Sequence, residues 1–301
     1  DFKADVQSIH EKLHPNAVPI QIPIGLESNF QGLIDLLRMK AYYFEGEKGE
    51  IIVEKDIPAD FAEEAKTYRH DMMEKIVEQD DVLLSKYLAG GEISLEELKP
   101  VLRKATLAIK IVPILCGSAL KNKGVQLVLD AVVDYLPSPL DMPPVRGLKP
   151  GKTEELFRHP DNNEPFAALA FKVATDPFIG SPTYFRVYSG VLKKGSYIYN
   201  ATTGNKERLG RIVRLQADKR EEVKKVFAGE IAAAVGLKDA KTSHTFADED
   251  KPIILDQITF PEPVISLRIE PKTKADQEKM GMALKRLSDE DPTFKIKSDS
   301  E

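Results

Sequence analysis

The sequence predicts a multidomain protein that passes from an α/β part, through an all-β part, to an α+β part. Three observations support this prediction. A strand-length apolar run at 109–115 ends in small residues and precedes a helical pattern from Val125 to Leu136. Short apolar runs separated by turn signals recur from Phe166 onwards, which is typical of a small barrel. After 263, a strand-like segment and a helical pattern follow each other.

The bulk composition is that of a soluble globular protein. The 301 residues are 42% hydrophobic and 30% charged, which allows two or more domains with proper cores. No apolar run approaches the roughly 18 residues of a membrane span, and no signal peptide is recognisable. The single cysteine excludes an internal disulfide and fits a reducing, cytosol-like compartment. Because the chain begins at Asp1, inside a predicted helix, we expect it to be a piece of a longer protein.

Basic residues concentrate in one segment of an acidic chain. Between Phe185 and Lys225 there are 11 Lys and Arg against 4 Asp and Glu, although the net charge of the chain is −5. Such a segment can contact phosphates, whereas the whole molecule is unsuited to coating nucleic acid indiscriminately. A solvated barrel face explains the same residues equally well. The candidate RNA contacts are Arg208, Arg211, Arg214, Lys219, Arg220, Lys224 and Lys225.

The first 110 residues predict a helix followed by an acidic α+β module. An apolar stripe from Phe2 to Leu13 predicts a helix over 1–14, which Pro15 ends. Residues 15–110 carry 18 Asp and Glu against 12 Lys and Arg. The elements predicted there are an extended segment at 18–25, a short helix at 33–37, strands at 41–44 and 51–53, helices at 60–79 and 82–88, and a helix that opens on the capping box Ser94/Glu97 and is kinked at Pro100.

Proline-rich segments divide the rest of the chain. Prolines at 137, 139, 143 and 144 begin a predicted linker that runs to Asn163 and forms the clearest domain boundary. A second linker at 260–263 follows the all-β part. Beyond it we expect a strand at 264–269, a helix from Thr273 to about Leu287, and a last strand that begins at Phe294.

The predicted loop at the end of the 109–115 strand is the first candidate site. Gly117 lets a ligand approach the backbone, Ser118 offers a hydroxyl, and the amides of Ala119 and Leu120 can point into a site. Taken alone the arrangement is generic, because many α/β folds turn in this way and bind nothing there.

The usual motifs for a nucleoside triphosphate are missing from the sequence. Gly190 and Gly195 have the spacing of a phosphate-binding loop, but Ser196-Tyr197 follows instead of Lys-Ser/Thr. No Asp-x-x-Gly occurs, and Asn122-Lys123-Gly124-Val125 lacks the aspartate of a guanine-reading Asn-Lys-x-Asp. The sequence therefore predicts that this chain does not hold a triphosphate and magnesium by these means.

Two further patterns are weighed against simpler interpretations. His10-Glu11-Lys12-Leu13-His14 matches the zinc-protease pattern, but the His14–Pro15 bond disfavours helical geometry at the second histidine. We interpret it as a solvated helix end and predict no metal site. Cys116 has no histidine near it in sequence, so we interpret it as a small buried core residue rather than a nucleophile.

Several segments together resemble the translational GTPases of the elongation factor G family. Gly117 to Gln126 is similar to the fifth guanine-nucleotide motif, and Asp134 to Pro139 to the exit from the G domain. The resemblance covers the whole chain, with further matching segments at 170–172, 176–178 (Asp176-Pro177-Phe178), 185–190, 228–237, 260–265 and 270–280. One departure is that Thr242-Ser243-His244-Thr245-Phe246 replaces a Thr-Gly-Asp-Thr-Leu turn, which questions the geometry of that turn.

The resemblance implies a fold and a division into domains. Residues 1–14 and 111–150 would be the C-terminal part of a P-loop GTPase G domain, and 15–110 an α+β insert within it. Residues 151–262 would form the domain II β-barrel, and 263–301 the start of a ferredoxin-like domain III.

The resemblance also implies a function. The parent protein would be a ribosome-dependent GTPase that promotes translocation of tRNA and mRNA, in the cytoplasm of a bacterium rather than an organelle. It would bind GTP or GDP with magnesium, with Ala119 and Leu120 approaching the guanine O6 while Ser118 braces the base-reading aspartate. The barrel would face small-subunit rRNA and the acidic insert the stalk proteins, in a monomer without membrane contact.

Because the phosphate loop, the switches and Asn-Lys-x-Asp are missing, we expect this chain alone to hydrolyse no GTP and to hold no nucleotide. The alternative interpretation is a non-catalytic ribosome-docking module.

Overall fold

The computed structural model describes residues 1–174, 180–217 and 219–297, and the chain forms two units, Asp1–Pro137 and Ser138–Glu301. The 176–178 motif lies outside the described residues. Among the helices described, none is long and apolar enough to cross a membrane. The four-part division into domains remains a prediction.

The first unit is an α+β structure. Its helices are α1 (Phe2–Lys12), α2 (Ala59–Val77), α3 (Asp81–Leu88), α4 (Leu95–Leu107) and α5 (Val125–Tyr135). Its strands are β1 (Ala17–Pro19), β2 (Gln21–Ile24), β3 (Gly32–Asp35), β4 (Lys40–Glu45), β5 (Ile51–Lys55) and β6 (Val112–Ile114). The strands β2 to β5 form an antiparallel sheet in sequence order, whereas β1 pairs with β6 in parallel.

One apolar core joins the two sheets and the helices of the first unit. Ile22 from the antiparallel sheet, Met72 from α2 and Leu102 from α4 are among its fully buried members. The core also includes Ile111 and Tyr135, so the strand–loop–helix segment packs on the same core as the acidic module. The capping box predicted at α4 is present, with the Ser94 hydroxyl accepting from the Glu97 amide and the Glu97 carboxylate accepting from the Ser94 amide.

The short helix predicted at 33–37 is wrong. Residues 32–35 are strand β3, which pairs with β2 on one side and β4 on the other. The strand ends where Asp35 Oδ1 accepts hydrogen bonds from the amides of Leu37 and Arg38, at 2.8 and 3.0 Å. A short apolar run fits either a helix or a buried strand, and the two neighbouring strands decide it here.

The second unit contains the predicted all-β part. Its strands are β7 (Val145–Leu148), β8 (Glu155–Arg158), β9 (Ala167–Val173), β10 (Pro182–Ser189), β11 (Val191–Lys193), β12 (Tyr197–Asn200), β13 (Asn205–Arg208), β14 (Arg211–Gln216), β15 (Lys219–Val223), β16 (Lys225–Phe227), β17 (Ile231–Val235), β18 (Thr245–Ala247) and β19 (Ile254–Leu255). Eight of them form an antiparallel, barrel-like sheet in the order β13-β12-β18-β9-β10-β17-β14-β15. Phe185 and Phe246 meet edge to face inside it, with ring centroids 6.4 Å apart.

The linker predicted from Pro137 to Asn163 is only partly irregular. Strands β7 and β8 lie within it and form a three-stranded sheet with β19. Gly147 of β7 permits this packing, because a Cβ there would lie 2.5 Å from the Ile254 carbonyl oxygen. Proline and glycine signals therefore indicated the turns but did not reveal the strands between them.

The chain after 263 has less regular structure than predicted. The helix is confirmed as α6 (Lys274–Glu290), which opens on a Thr273 cap. The strand predicted at 264–269 is wrong, since these residues form no strand. Of the strand predicted from Phe294, residues 294–297 form no strand, and the remainder lies outside the described residues. Val264 and Leu267 are 94% and 86% exposed, so no neighbouring strand covers the apolar side chains that suggested the pattern.

The unusual turn at 242–246 keeps a left-handed backbone without glycine. Ser243 has φ +75°, a conformation that serine rarely adopts. Its amide donates to the Ala170 carbonyl oxygen at 2.7 Å, and its hydroxyl accepts from the Ile258 amide at 2.7 Å. These two hydrogen bonds hold Ser243 in the left-handed conformation.

The core of the first unit yields a stability prediction. Leu102→Ala is expected to lower the free energy of unfolding by about 2–5 kcal/mol, because it removes a fully buried side chain and leaves a cavity. Urea unfolding followed by far-ultraviolet circular dichroism measures the effect. The control is Leu88→Ala on α3, whose side chain is 77% exposed and whose loss should cost about 0.5 kcal/mol or less. Equal losses in the two variants would contradict the placement of this core.

Candidate functional site

The predicted base-binding loop is a tight turn between β6 and α5. The Ser118 amide donates to the Lys123 carbonyl oxygen at 2.8 Å, and the Lys123 amide returns a bond to Ser118 at 3.0 Å. The Asn122 amide donates to the Ala119 carbonyl oxygen at 3.1 Å and closes the tip. The structure therefore brings Ser118, Ala119 and Leu120 together on one ordered loop.

Two glycines allow the two arms of this loop to cross closely. A Cβ at Gly117 would lie 2.7 Å from the Lys123 carbonyl oxygen, and one at Gly124 would lie 2.9 Å from that of Cys116. Gly124 also has φ +86°, which favours glycine, and it precedes the first residue of α5. Larger residues at either position would force the arms apart.

The tip of the loop offers hydrogen-bond donors. Within the described residues, the amides of Ala119 and Leu120 donate to no acceptor, and the Leu120 side chain is 98% exposed. Two free amides on a fixed backbone can bind a carbonyl oxygen such as that of a purine base. This is the chemistry that the loop itself supports.

The loop rests on an apolar support from the antiparallel sheet. Leu33, Tyr42 and Phe44 are buried together, with Cys116 and Leu127 packed against them. The Cys116 amide lies 3.4 Å from Gln21 Oε1, which accepts its hydrogen bond. Burial raises the pKa of the Cys116 thiol from 9.0 to about 12, so the thiolate is disfavoured and the residue is unsuited to nucleophilic chemistry.

One side of α5 is exposed although it is apolar. Ala131 and Tyr135 pack on the core of the first unit, whereas Leu129 and Val133 are 60% and 79% exposed. The sequence pattern predicted the helix. It did not show that the apolar residues lie on two sides of the helix, one packed on the core and the other exposed to solvent.

Six of the seven candidate RNA contacts lie on strands β13 to β16 of the second unit, and Lys224 lies between β15 and β16. Arg208 ends β13 and Arg211 begins β14, and both side chains are exposed. Lys219 and Arg220 lie on β15 opposite Gln216 and Leu215 and are also exposed.

Arg214 lies on the same strand as Arg211 but is held by two carboxylates. Its guanidinium contacts Glu230 at 2.8 Å and Glu221 at 3.8 Å. Its charge is thus already partly neutralised, and of the candidates on β13 and β14, Arg208 and Arg211 are better suited to phosphate contact.

The zinc-protease pattern does not form a site. Helix α1 ends at Lys12, so His14 lies beyond the helix and is not one turn above His10 on a common face. His10 Nε2 lies 2.6 Å from the Ala17 carbonyl oxygen, and His14 Nδ1 accepts from the Asn16 amide at 3.2 Å. Over the described ranges, no group of three or more His, Cys, Asp or Glu side chains could hold a metal ion.

Sequence reasoning missed the side chains that fix the loop from outside. Asn122 and Gln126 donate to backbone oxygens in the β4–β5 turn, and Lys123 Nζ donates to the Phe30 carbonyl oxygen at 3.3 Å. The partners are more than 70 positions apart, so no local pattern reveals them. The glycine-rich turn Glu45-Gly46-Glu47-Lys48-Gly49 was the available signal, and it indicated a tight turn only.

The raised pKa of Cys116 predicts low thiol reactivity. The thiolate fraction near neutral pH should be about a thousandfold lower than in the unfolded chain, which higher thiolate nucleophilicity only partly offsets. We expect iodoacetamide to alkylate Cys116 at least about tenfold more slowly in the folded chain, as followed by peptide mass spectrometry. An added exposed thiol, Ser85→Cys, serves as the reference in the same molecule. Equal alkylation rates at the two thiols would contradict the prediction.

Comparison with known proteins identifies both the barrel and the segment that follows it. Residues 180–247 match the family model described as elongation factor Tu domain 2. Residues 260–301 match that of elongation factor G, domain III. A solved structure from Thermus thermophilus superimposes over the whole chain with a TM-score of 0.80 at 26% identity, and the match covers 42% of that protein.

Curated relatives match along the entire chain. Elongation factor G of Thermotoga maritima is 57% identical over all 301 residues, and that of a second Thermotoga strain is 56% identical. The chain spans 44% and 43% of the lengths of these two proteins. The chain therefore belongs to the elongation factor G family and corresponds to less than half the length of these relatives.

Proposed function

We propose that this chain is part of a ribosome-dependent GTPase that promotes the movement of tRNA and mRNA during elongation. The observation that carries the proposal is the identity of 57% with an elongation factor G along the entire chain. The base-binding loop supports it, because the unpaired amides of Ala119 and Leu120 suit a guanine O6 acceptor. In this proposal Ser118 braces a base-reading aspartate of the longer protein.

The remaining parts of the nucleotide site are assigned to the rest of that longer protein. Residues that would hold phosphates and magnesium belong to motifs this sequence lacks, so no chemical step is assigned to its residues. The uncovered side of α5, with Leu129 and Val133, is the surface on which we place the remaining G domain. The protein would act in the cytoplasm as a monomer.

A docking role for this chain by itself is the second candidate. The exposed guanidinium groups of Arg208 and Arg211 favour it, because arginine binds the phosphates of RNA. Such contacts do not require GTP or GDP to be bound to the chain. The barrel would contact small-subunit rRNA, and the acidic insert the proteins of the ribosomal stalk.

Nucleotide binding distinguishes the chain from the longer protein. We expect the 301-residue chain to show no micromolar affinity for GTP or GDP in titration calorimetry, since the loop supplies only base contacts. The longer protein is expected to bind GDP with magnesium under the same conditions. Micromolar binding by the chain alone would contradict the division of the site, and no binding by the longer protein would contradict the proposed GTPase.

Ribosome binding tests the role of the barrel. The double variant Arg208→Glu and Arg211→Glu is expected to weaken co-sedimentation with ribosomes and to flatten its salt dependence by about one to two logarithmic units per unit of log salt. The charge-matched control is Lys152→Glu and Lys251→Glu, two exposed residues of the β7–β8 turn and the segment before β19. Equal loss in both double variants would indicate a general charge effect and contradict a specific contact.

A further inference from the structure

The turn between β4 and β5 touches the base-binding loop directly. Asn122 Nδ2 donates to the Lys48 carbonyl oxygen at 2.9 Å, across 74 positions of sequence. One helical turn further on, Gln126 Nε2 donates to the Gly49 carbonyl oxygen at 3.3 Å. The tip of the loop and the start of α5 are thus each hydrogen-bonded to one of two successive carbonyl groups in the same turn, residues 45–50.

Backbone geometry on both sides is adapted to this contact. Gly49 is buried with φ +63°, and a Cβ there would lie 2.9 Å from the carbonyl oxygens of Lys121 and Asn122. Asn122 itself has φ +50°, a left-handed conformation that asparagine tolerates better than most residues. The turn and the loop are therefore in backbone contact, with an asparagine and a glycine where other residues would be strained.

Apolar packing below the hydrogen bonds fixes the same alignment. Strand β4 carries the buried Tyr42 and Phe44 against Cys116 and Leu127, and it leads straight into the turn. A Cβ at Gly124 would lie 3.2 Å from Leu33 Cδ2, so the end of the loop also meets the sheet closely. Hydrogen bonds at the edge of an apolar support hold a specific conformation that packing alone leaves less defined.

We propose that the β4–β5 turn is a positioning element for the base-binding loop and that Asn122 is its central residue. By holding the loop from outside, the turn keeps the amides of Ala119 and Leu120 directed towards the ligand and so sets the affinity for the guanine base. The effect on affinity depends on the nucleotide-binding function proposed above, whereas the effect on loop conformation does not.

The variant Asn122→Asp separates this role from general folding. Aspartate has nearly the same shape and tolerates the same backbone, but it places a carboxylate oxygen where the amide donated to the Lys48 carbonyl oxygen. Gly49→Ala disrupts the same contact from the side of the turn and leaves the amino-acid sequence of the loop unchanged. The control is Glu47→Ala, an exposed residue of that turn.

Hydrogen exchange in the 301-residue chain reads the conformation of the loop. The amides of Ser118, Asn122 and Lys123 are bonded within the loop and serve as reporters. Asn122→Asp and Gly49→Ala are expected to speed their exchange about tenfold, with α2 and α4 unchanged and Glu47→Ala without effect. Unchanged exchange of these three amides in both variants would overturn the proposal. If one variant failed to fold, unchanged exchange in the other would overturn it alone.

Nucleotide affinity in the longer protein reads the consequence. Both variants are expected to raise the dissociation constant for GDP and the KM for GTP about tenfold, with kcat unchanged, because a base contact stabilises ground and transition states alike. Faster exchange with unaltered GDP affinity would overturn the role in affinity. If the unmodified longer protein bound no GDP, the proposed function would fail, while the exchange experiment would still decide whether the turn holds the loop.

Discussion

The parallel pairing of β1 with β6 is the contact on which the first unit depends. Ala17 to Pro19 lie beside Val112 to Ile114, so more than ninety residues of chain are enclosed between two short strands. Closing so long a loop costs conformational entropy, but that cost rises only slowly with length. Burial of Val18 and Ile111 in the common core supplies the compensating stability. This pairing carries the loop after β6 to the surface of the antiparallel sheet.

The helices of the fold could be predicted because their signals are local. The Ser94 capping box and the apolar spacing along α2 each depend on residues about one helical turn apart. Strands β3 (Gly32–Asp35) and β7 (Val145–Leu148) were missed for the opposite reason. Their identity is set by partner strands elsewhere in the chain, and a short apolar or proline-flanked run does not encode the partner. The prediction of a strand at 264–269 was wrong for the same reason, because a segment of alternating residues forms a strand only where a partner strand pairs with it.

The residues of the candidate site also differ in whether local sequence signals could predict them. Ser118, Ala119 and Leu120 could be placed on one loop from the sequence, because an apolar strand, small residues and a helix follow one another directly. Asn122 and Gln126 could not, because their partners belong to a turn far away in sequence. Among the basic residues, position alone did not separate Arg211 from Arg214. The ion pairs of Arg214 with Glu221 and Glu230 depend on how β14 lies between β15 and β17.

The acidic module and the strand–loop–helix segment of the first unit differ in how completely their apolar side chains are buried. Helices α2 and α4 of the acidic module contribute fully buried apolar residues such as Met72, Ile76 and Leu102 to the common core. The strand–loop–helix segment is different, since Val112 on β6 and Val133 on α5 are 37% and 79% exposed. Parallel sheets are almost always covered on both faces, and this pair is not. The incomplete side is therefore the one that carries the base-binding loop. In the proposed function, this exposed side is where the rest of the longer protein would complete the nucleotide site.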